Sequence, residues 1–185
     1  MARTPSVMVA LNTHAPDFRL LDTVSGNMLS LHELKGQNAT LIAFICNHCP
    51  FVKHVNPQLV SIANDYANKG VQIIAISAND VEQYPDDGPE AMTETAKKLG
   101  YPFPYLYDQS QETAIAYQAA CTPDFFIYDS HLSLAYRGQL DDSRPGNDIP
   151  LSGNDIRSAL DALVNHTPVS ANQKPGIGCN IKWRK

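Results

Sequence analysis

Cys46 and Cys49 stand with two residues between them in Phe44-Ile45-Cys46-Asn47-His48-Cys49-Pro50. An apolar run ending at Ile45 leads into them, and residues with helical spacing follow. A thiol at the first turn of a helix meets the positive end of the macrodipole and amide groups without an intrahelical partner, which favours the thiolate. The spacing lets the second sulfur reach the first, so the pair can cycle between dithiol and disulfide. Cys46, the more exposed position at the helix start, is expected to be the nucleophile and Cys49 to resolve the mixed disulfide. Asn47 and His48 lie between them. An imidazolium beside a thiolate lowers the thiol pKa and makes the couple more oxidising. The competing reading is half of a zinc site, or two buried structural thiols. A zinc site needs a second ligand pair at similar spacing, and the sequence has none.

Sulfurs so placed need a strand that ends beneath them and a helix that starts at them. Residues 40–45 form a continuous apolar run bounded by polar residues, which predicts a buried central strand. Val52, Val55, Leu59, Ile62, Ala63 and Tyr66 recur at helical spacing up to a stop at Gly70, with a kink expected around Pro57. Residues 71–77 make a second central strand, so the helix between is a right-handed crossover. Upstream, residues 15–22 and 28–31 flank Ser25-Gly26-Asn27 as a hairpin, behind a loosely attached arm at 1–14. Downstream come a loop at 84–89, a helix at 90–99 closed by Gly100 and an extended stretch at 101–108. A short helix at 111–119 and two strands around a turn at Asp129-Ser130-His131 follow. Asn154 is read as the cap of a last helix running to Val164. The domain spans 15–166, and 167–185 is a tail packed on it, pinned by the Trp183 ring. The pairs Asp86-Asp87 and Asp141-Asp142 read as solvated loop charges, and the aromatic residues of 101–107 as packing.

With 185 residues, 43% hydrophobic and 18% charged, the chain reads as one soluble globular domain. A net charge of −5 gives no case for nucleic acid or an acidic membrane as partner. No signal-peptide-like core and no apolar stretch of membrane-spanning length is evident. The expected location is therefore the cytoplasm, where four cysteines argue for catalysis or metal rather than a disulfide framework.

Strand, Cys-x-x-Cys and helix within a βαβ pattern is the sequence sign of a thioredoxin-like redox site. The expected fold is α/β: a central mixed sheet flanked by helices, with an N-terminal β-hairpin and a C-terminal tail. In that fold a cis-proline loop faces the cysteines and holds an extended substrate stretch. Thr122-Pro123, opening an apolar strand, is the candidate; the alternative is an ordinary trans proline. Residues 46–54, 121–126, 136–138 and 178–183 together resemble the thioredoxin-like redoxin proteins grouped with the alkyl hydroperoxide reductase/thiol-specific antioxidant (AhpC/TSA) family. That resemblance implies oxidoreductase and antioxidant activity and a role in cell redox homeostasis, with no cofactor.

The family label joins two mechanisms. Its peroxidases place a proline seven residues, and a threonine or serine three residues, before the attacking cysteine. Ala39 and Ala43 stand there relative to Cys46, and Ile42 and Cys46 relative to Cys49. Typical thioredoxins carry a tryptophan before the first cysteine and a buried acid six residues before it; Ile45 and Thr40 stand there. Proton handling then falls to water, His48 or another group. The expected activity is thiol–disulfide exchange with protein or small-molecule disulfides and dithiols. The alternatives are a thiol peroxidase acting on peroxides, with Arg137 as a possible guanidinium donor though more simply a surface or loop-anchoring residue, and a copper- or zinc-binding module with His131 as a distant ligand. His54, six residues after His48, does not share a ligand set with it on a helix. Cys121, beside the Thr-Pro pair, and Cys179, in a glycine-flanked tail, are either accessory thiols in a relay or packing residues.

Overall fold

In the computed structural model, which describes residues 3–185, the central apolar run is β4 (Ala39–Phe44), buried along its whole length. It pairs in parallel with β5 (Val71–Ser77) and antiparallel with β8 (Asp124–Asp129). The full sheet has seven strands in the order β3 (Met28–Ser30), β2 (Arg19–Asp22), β6 (Tyr105–Tyr107), β5, β4, β8 and β9 (Leu134–Gly138). A strand buried at every position, as β4 is, has no face for water, so both sides of the sheet must be covered there. Leu41, Ala43, Ile73 and Ala75 point to one side, against α2 (Pro50–Tyr66), α3 (Pro89–Leu99) and α5 (Asn154–Val164). Ile42, Phe44, Ile74 and Ile76 point to the other, where Leu31 of α1 (Leu31–Leu34), Ala114 of α4 (Glu112–Ala116), Phe18 and Tyr117 cover them.

The α2 helix positions the site. Cys49 is its N-cap residue and Pro50 its first helical residue, where a proline's missing N–H costs no hydrogen bond. Val52, Leu59 and Ile62 lie fully buried along its inner face, each contributing about 1.5–3 kcal/mol relative to exposure. The hairpin β2–β3 and the crossover from β4 through α2 to β5 follow the sequence pattern. No helix of the described residues is long and apolar enough to cross a membrane.

A second, three-stranded sheet joins distant parts of the chain: β1 (Arg3–Pro5), β10 (Ile177–Asn180) and β7 (Cys121–Thr122), with β10 in the middle and antiparallel to both. Residues 3–14 are therefore not a loose arm. Ser6 N donates to Gly176 O (2.9 Å), Asn12 N to Leu134 O (2.9 Å), and Val9 and Leu11 pack on the core. Their partners lie far along the chain, and a local pattern cannot show such pairing. The Trp183 ring is not the anchor of the tail, since it remains 40% exposed. The tail is held by β10, by buried Ile181, and by a hydrogen bond from Lys182 N to Asn79 Oδ1 (2.9 Å).

Three polar expectations also fail. Asp141 is buried; its carboxylate accepts from the backbone N–H groups of Ser143, Ser152 and Gly153, holding the loop before α5. The N-cap of α5 is Gly153, at φ 69°, where a glycine carries no Cβ penalty; Asn154 is the first helical residue. Arg137 is fully buried. Its guanidinium grips Asp124 (2.5 and 2.9 Å), donates from Nε to Val7 O (3.0 Å) and stacks over Phe126.

Candidate redox site

The end of β4 and the start of α2 hold Cys46 and Cys49 against the Thr122–Pro123 loop, whose peptide bond is cis. Cys46 Sγ lies 3.4 Å from Thr122 Oγ1, and Cys49 Sγ 3.1 Å from the Thr122 carbonyl oxygen. Cys49 Sγ also touches Cys179 Sγ at 2.9 Å. All four cysteines are buried thiols and no disulfide joins them; Cys46 is 2% exposed and Cys49 fully enclosed. Cys121 is turned elsewhere, its sulfur 3.9 Å from Ser6 Oγ and 3.6 Å from Pro123 O. Cys179 does not sit on a flexible tail. It occupies the central strand of the small sheet, paired with Arg3 on one side and Thr122 on the other.

The sulfurs titrate together. The hydrogen bond between Cys46 and Cys49 is the largest influence on both: it holds the Cys46 proton on and draws the Cys49 thiol down. Burial and the charge of Asp87 push Cys46 further up, while Cys179 and the backbone N–H of Val52 help stabilise charge on Cys49. Burial first, then its contact with Cys49, raises the Cys179 thiol.

Asp87 is the site residue that sequence reasoning missed. It belongs to a 3-10 turn, Pro85–Asp87, and is fully buried, whereas Asp86 beside it is exposed as expected. Oδ1 accepts from the backbone N–H groups of Asn47 (2.8 Å) and His48 (3.2 Å), and Oδ2 from Asn79 Nδ2 (2.8 Å); Oδ2 also lies 2.5 Å from His48 Nδ1. One carboxylate therefore fixes the backbone between the two cysteines and one imidazole. His48 is stacked on Tyr84, with ring centroids 5.4 Å apart. Asn47 donates to Asp86 O and accepts from Tyr105 OH (3.1 Å), so an aromatic residue expected only to pack also reaches the cysteine loop. Two prolines and two acids in a row read as a solvated loop. The available signal was the adjacent sequence Asp86-Asp87-Gly88-Pro89, in which the turn buries one acid and the helix begins at Pro89.

Cys46, His48 and Asp87 each offer a ligand atom within 4.8 Å of the others. The His48 and Asp87 atoms are already bonded to each other, and His131, the distant ligand expected, is an exposed turn residue bonded to Ser130 and Asp129. His54 is bonded to Ser143 Oγ (2.8 Å). The arrangement is suited to sulfur chemistry: Cys49 in contact with Cys179 and with a backbone carbonyl, and Cys46 beside a hydroxyl.

The AhpC/TSA family profile matches residues 11–137. The chain is similar to an uncharacterized conserved protein from Geobacillus kaustophilus, 58% identical, with TM-score 0.98 over 100% of this chain and 97% of that one. It has the fold of the thioredoxin domain of a thiol-disulfide oxidoreductase from Bacteroides vulgatus: 19% identity, TM-score 0.60, 74% of this chain and 91% of that one. The thiol-disulfide oxidoreductase ResA of Halalkalibacterium halodurans is 25% identical over 112 residues, which make up 60% of this chain and 59% of that relative.

Proposed function

Since the chain belongs to the AhpC/TSA family, we propose that it is an oxidoreductase of the dithiol kind, exchanging its Cys46/Cys49 pair with disulfides. The observation that carries this is geometric: Cys46 Sγ lies 3.4 Å from Thr122 Oγ1 and Cys49 Sγ 3.1 Å from the Thr122 carbonyl oxygen, so both sulfurs face the cis Thr122–Pro123 bond. The similarity to ResA supports the same chemistry.

Cys46 is the attacking sulfur, because Cys49 is walled in by the Thr122 carbonyl and Cys179. As Cys46 attacks a substrate disulfide, its proton passes to the Cys49 thiolate and one substrate sulfur leaves as a thiolate. Cys49 then passes that proton to the released substrate thiolate and attacks Cys46 Sγ. The Cys46–Cys49 disulfide forms and the second substrate sulfur is released. Two electrons move from the cysteine pair to the substrate. Asn47 and His48, held by Asp87, keep the intervening backbone fixed through the cycle.

One observation favours peroxide reduction as a second reading: Thr122 Oγ1, 3.4 Å from Cys46, supplies a hydroxyl that position 43 lacks. Arg137 does not serve it, being committed to Asp124. Stopped-flow mixing of the reduced protein with glutathione disulfide, a protein disulfide and hydrogen peroxide separates the two. Fast disulfide-dependent thiol loss that disappears in Cys46→Ser, with slow loss in peroxide, is expected. Faster reaction with peroxide than with either disulfide would overturn the dithiol assignment.

A further inference from the structure

We propose that Cys179 is a third redox sulfur of this site and takes the disulfide over from the Cys46/Cys49 pair. The inference rests on the dithiol reading above and names a partner for Cys49 inside the protein. Its basis is contact: Cys49 Sγ and Cys179 Sγ are 2.9 Å apart, closer than unbonded sulfurs normally pack, and both are buried. The contact is built rather than incidental. Cys179 lies on β10, held on both edges by β1 and β7, so its backbone is fixed from two sides. Gly178 lets this strand press against the cis loop, for a Cβ there would overlap the Thr122 carbonyl. Of the two accessory thiols in the sequence, only Cys179 meets the pair; Cys121 faces Ser6 and Pro123.

The step is an internal exchange. Once Cys46 and Cys49 are joined, the Cys179 sulfur attacks Cys49 Sγ, the Cys46–Cys49 bond breaks, and a Cys49–Cys179 bond forms. The Cys179 proton passes to the departing Cys46 thiolate. No electron is gained or lost overall, so no further oxidant is needed. The oxidising equivalent is stored one layer deeper, and Cys46 returns as a thiol beside Thr122 while the protein is still oxidised. Burial holds the Cys179 proton on, so this transfer quickens as pH rises.

The test is a disulfide map of the full chain. The reduced protein is oxidised with one equivalent of diamide, quenched in acid, alkylated and mapped by mass spectrometry of its peptides. The expected wild-type result is a Cys49–Cys179 linkage with Cys46 alkylated, alongside Cys46–Cys49, appearing faster at higher pH. In Cys46→Ser, which cannot form the Cys46–Cys49 bond that Cys179 attacks, the Cys49–Cys179 linkage is lost. A wild-type map containing Cys46–Cys49 alone, with Cys179 fully alkylated at every pH, overturns the proposal whatever the variant forms. Failure of the dithiol reading looks different: the wild type then carries no Cys46–Cys49 bond, and Cys46→Ser keeps its reactivity with disulfides.

Discussion

Asp87 and Asp124 are both fully buried carboxylates, one under the cysteine loop and the other under the cis-proline loop, yet their surroundings are opposite. Asp124 is gripped at both oxygens by Arg137, a permanent cation, and accepts further hydrogen bonds from Ser6 Oγ (2.6 Å) and Ala120 N (3.0 Å). Asp87 has neutral amides and one imidazole, whose charge depends on a proton. Arg137 against both oxygens makes Asp124 a fixed brace for β8, β9 and the N-terminal segment; burial first, and Asp124 only after it, raises the nearby Cys121 thiol. Partial neutralisation leaves Asp87 with a field that reaches Cys46, which that field pushes up. Buried charge alone does not distinguish a brace from a chemical group; the permanence of its counter-charge does.

The contrast can be broken most forcefully at Arg137. Arg137→Met leaves Asp124 buried without its cation and should cost about 3–5 kcal/mol in urea unfolding. The rate at which folded molecules react at Cys46 should change little, and a large change there would show that the brace also tunes the sulfurs. Asp87→Asn should cost less, about 2–3 kcal/mol, because the amide keeps one acceptor but turns a donor toward His48 and Asn79. Its distinctive effect is on chemistry: with the negative charge gone, Cys46 should ionise at lower pH. The pH profile of iodoacetamide alkylation should move toward acid, and an unmoved profile would remove Asp87 from the chemical group.

Gly178→Ala sharpens the comparison from the third side, where the small sheet meets the cis loop. Overpacking there should cost about 1–3 kcal/mol and lift Cys179 off Cys49, raising the rate of Cys179 alkylation in the native protein. Trp183→Ala should have the smallest effect, below about 1 kcal/mol by thermal unfolding, since the ring is already partly in water.

These outcomes follow the line between what the sequence could reveal and what it could not. β4, β5 and α2 were legible because an apolar run and a helical stripe are local signals, and they sufficed to bring Cys46 and Cys49 to one place. Thr122 and Pro123 were legible through their position before the β8–β9 hairpin. Asp87, Asp141 and Arg137 were misread for one shared reason. The type of a charged residue predicts exposure, and only the partners that meet it in three dimensions reverse that prediction. The 3–14 segment and β10 escaped for a related reason, since strand pairing between opposite ends of a chain leaves no periodic trace beside either strand.

The central position of β10 carries a consequence for the order of folding. The wall behind Cys49 is made by a strand 130 residues further along the chain. At a synthesis rate of about 5–20 residues per second, roughly ten seconds pass between the appearance of Cys49 and that of Cys179. During that interval β4 and α2 can form from local contacts, but the pair has no third sulfur and no second sheet around it. A nascent chain therefore presents two reactive thiols before it has the structure that governs what they react with.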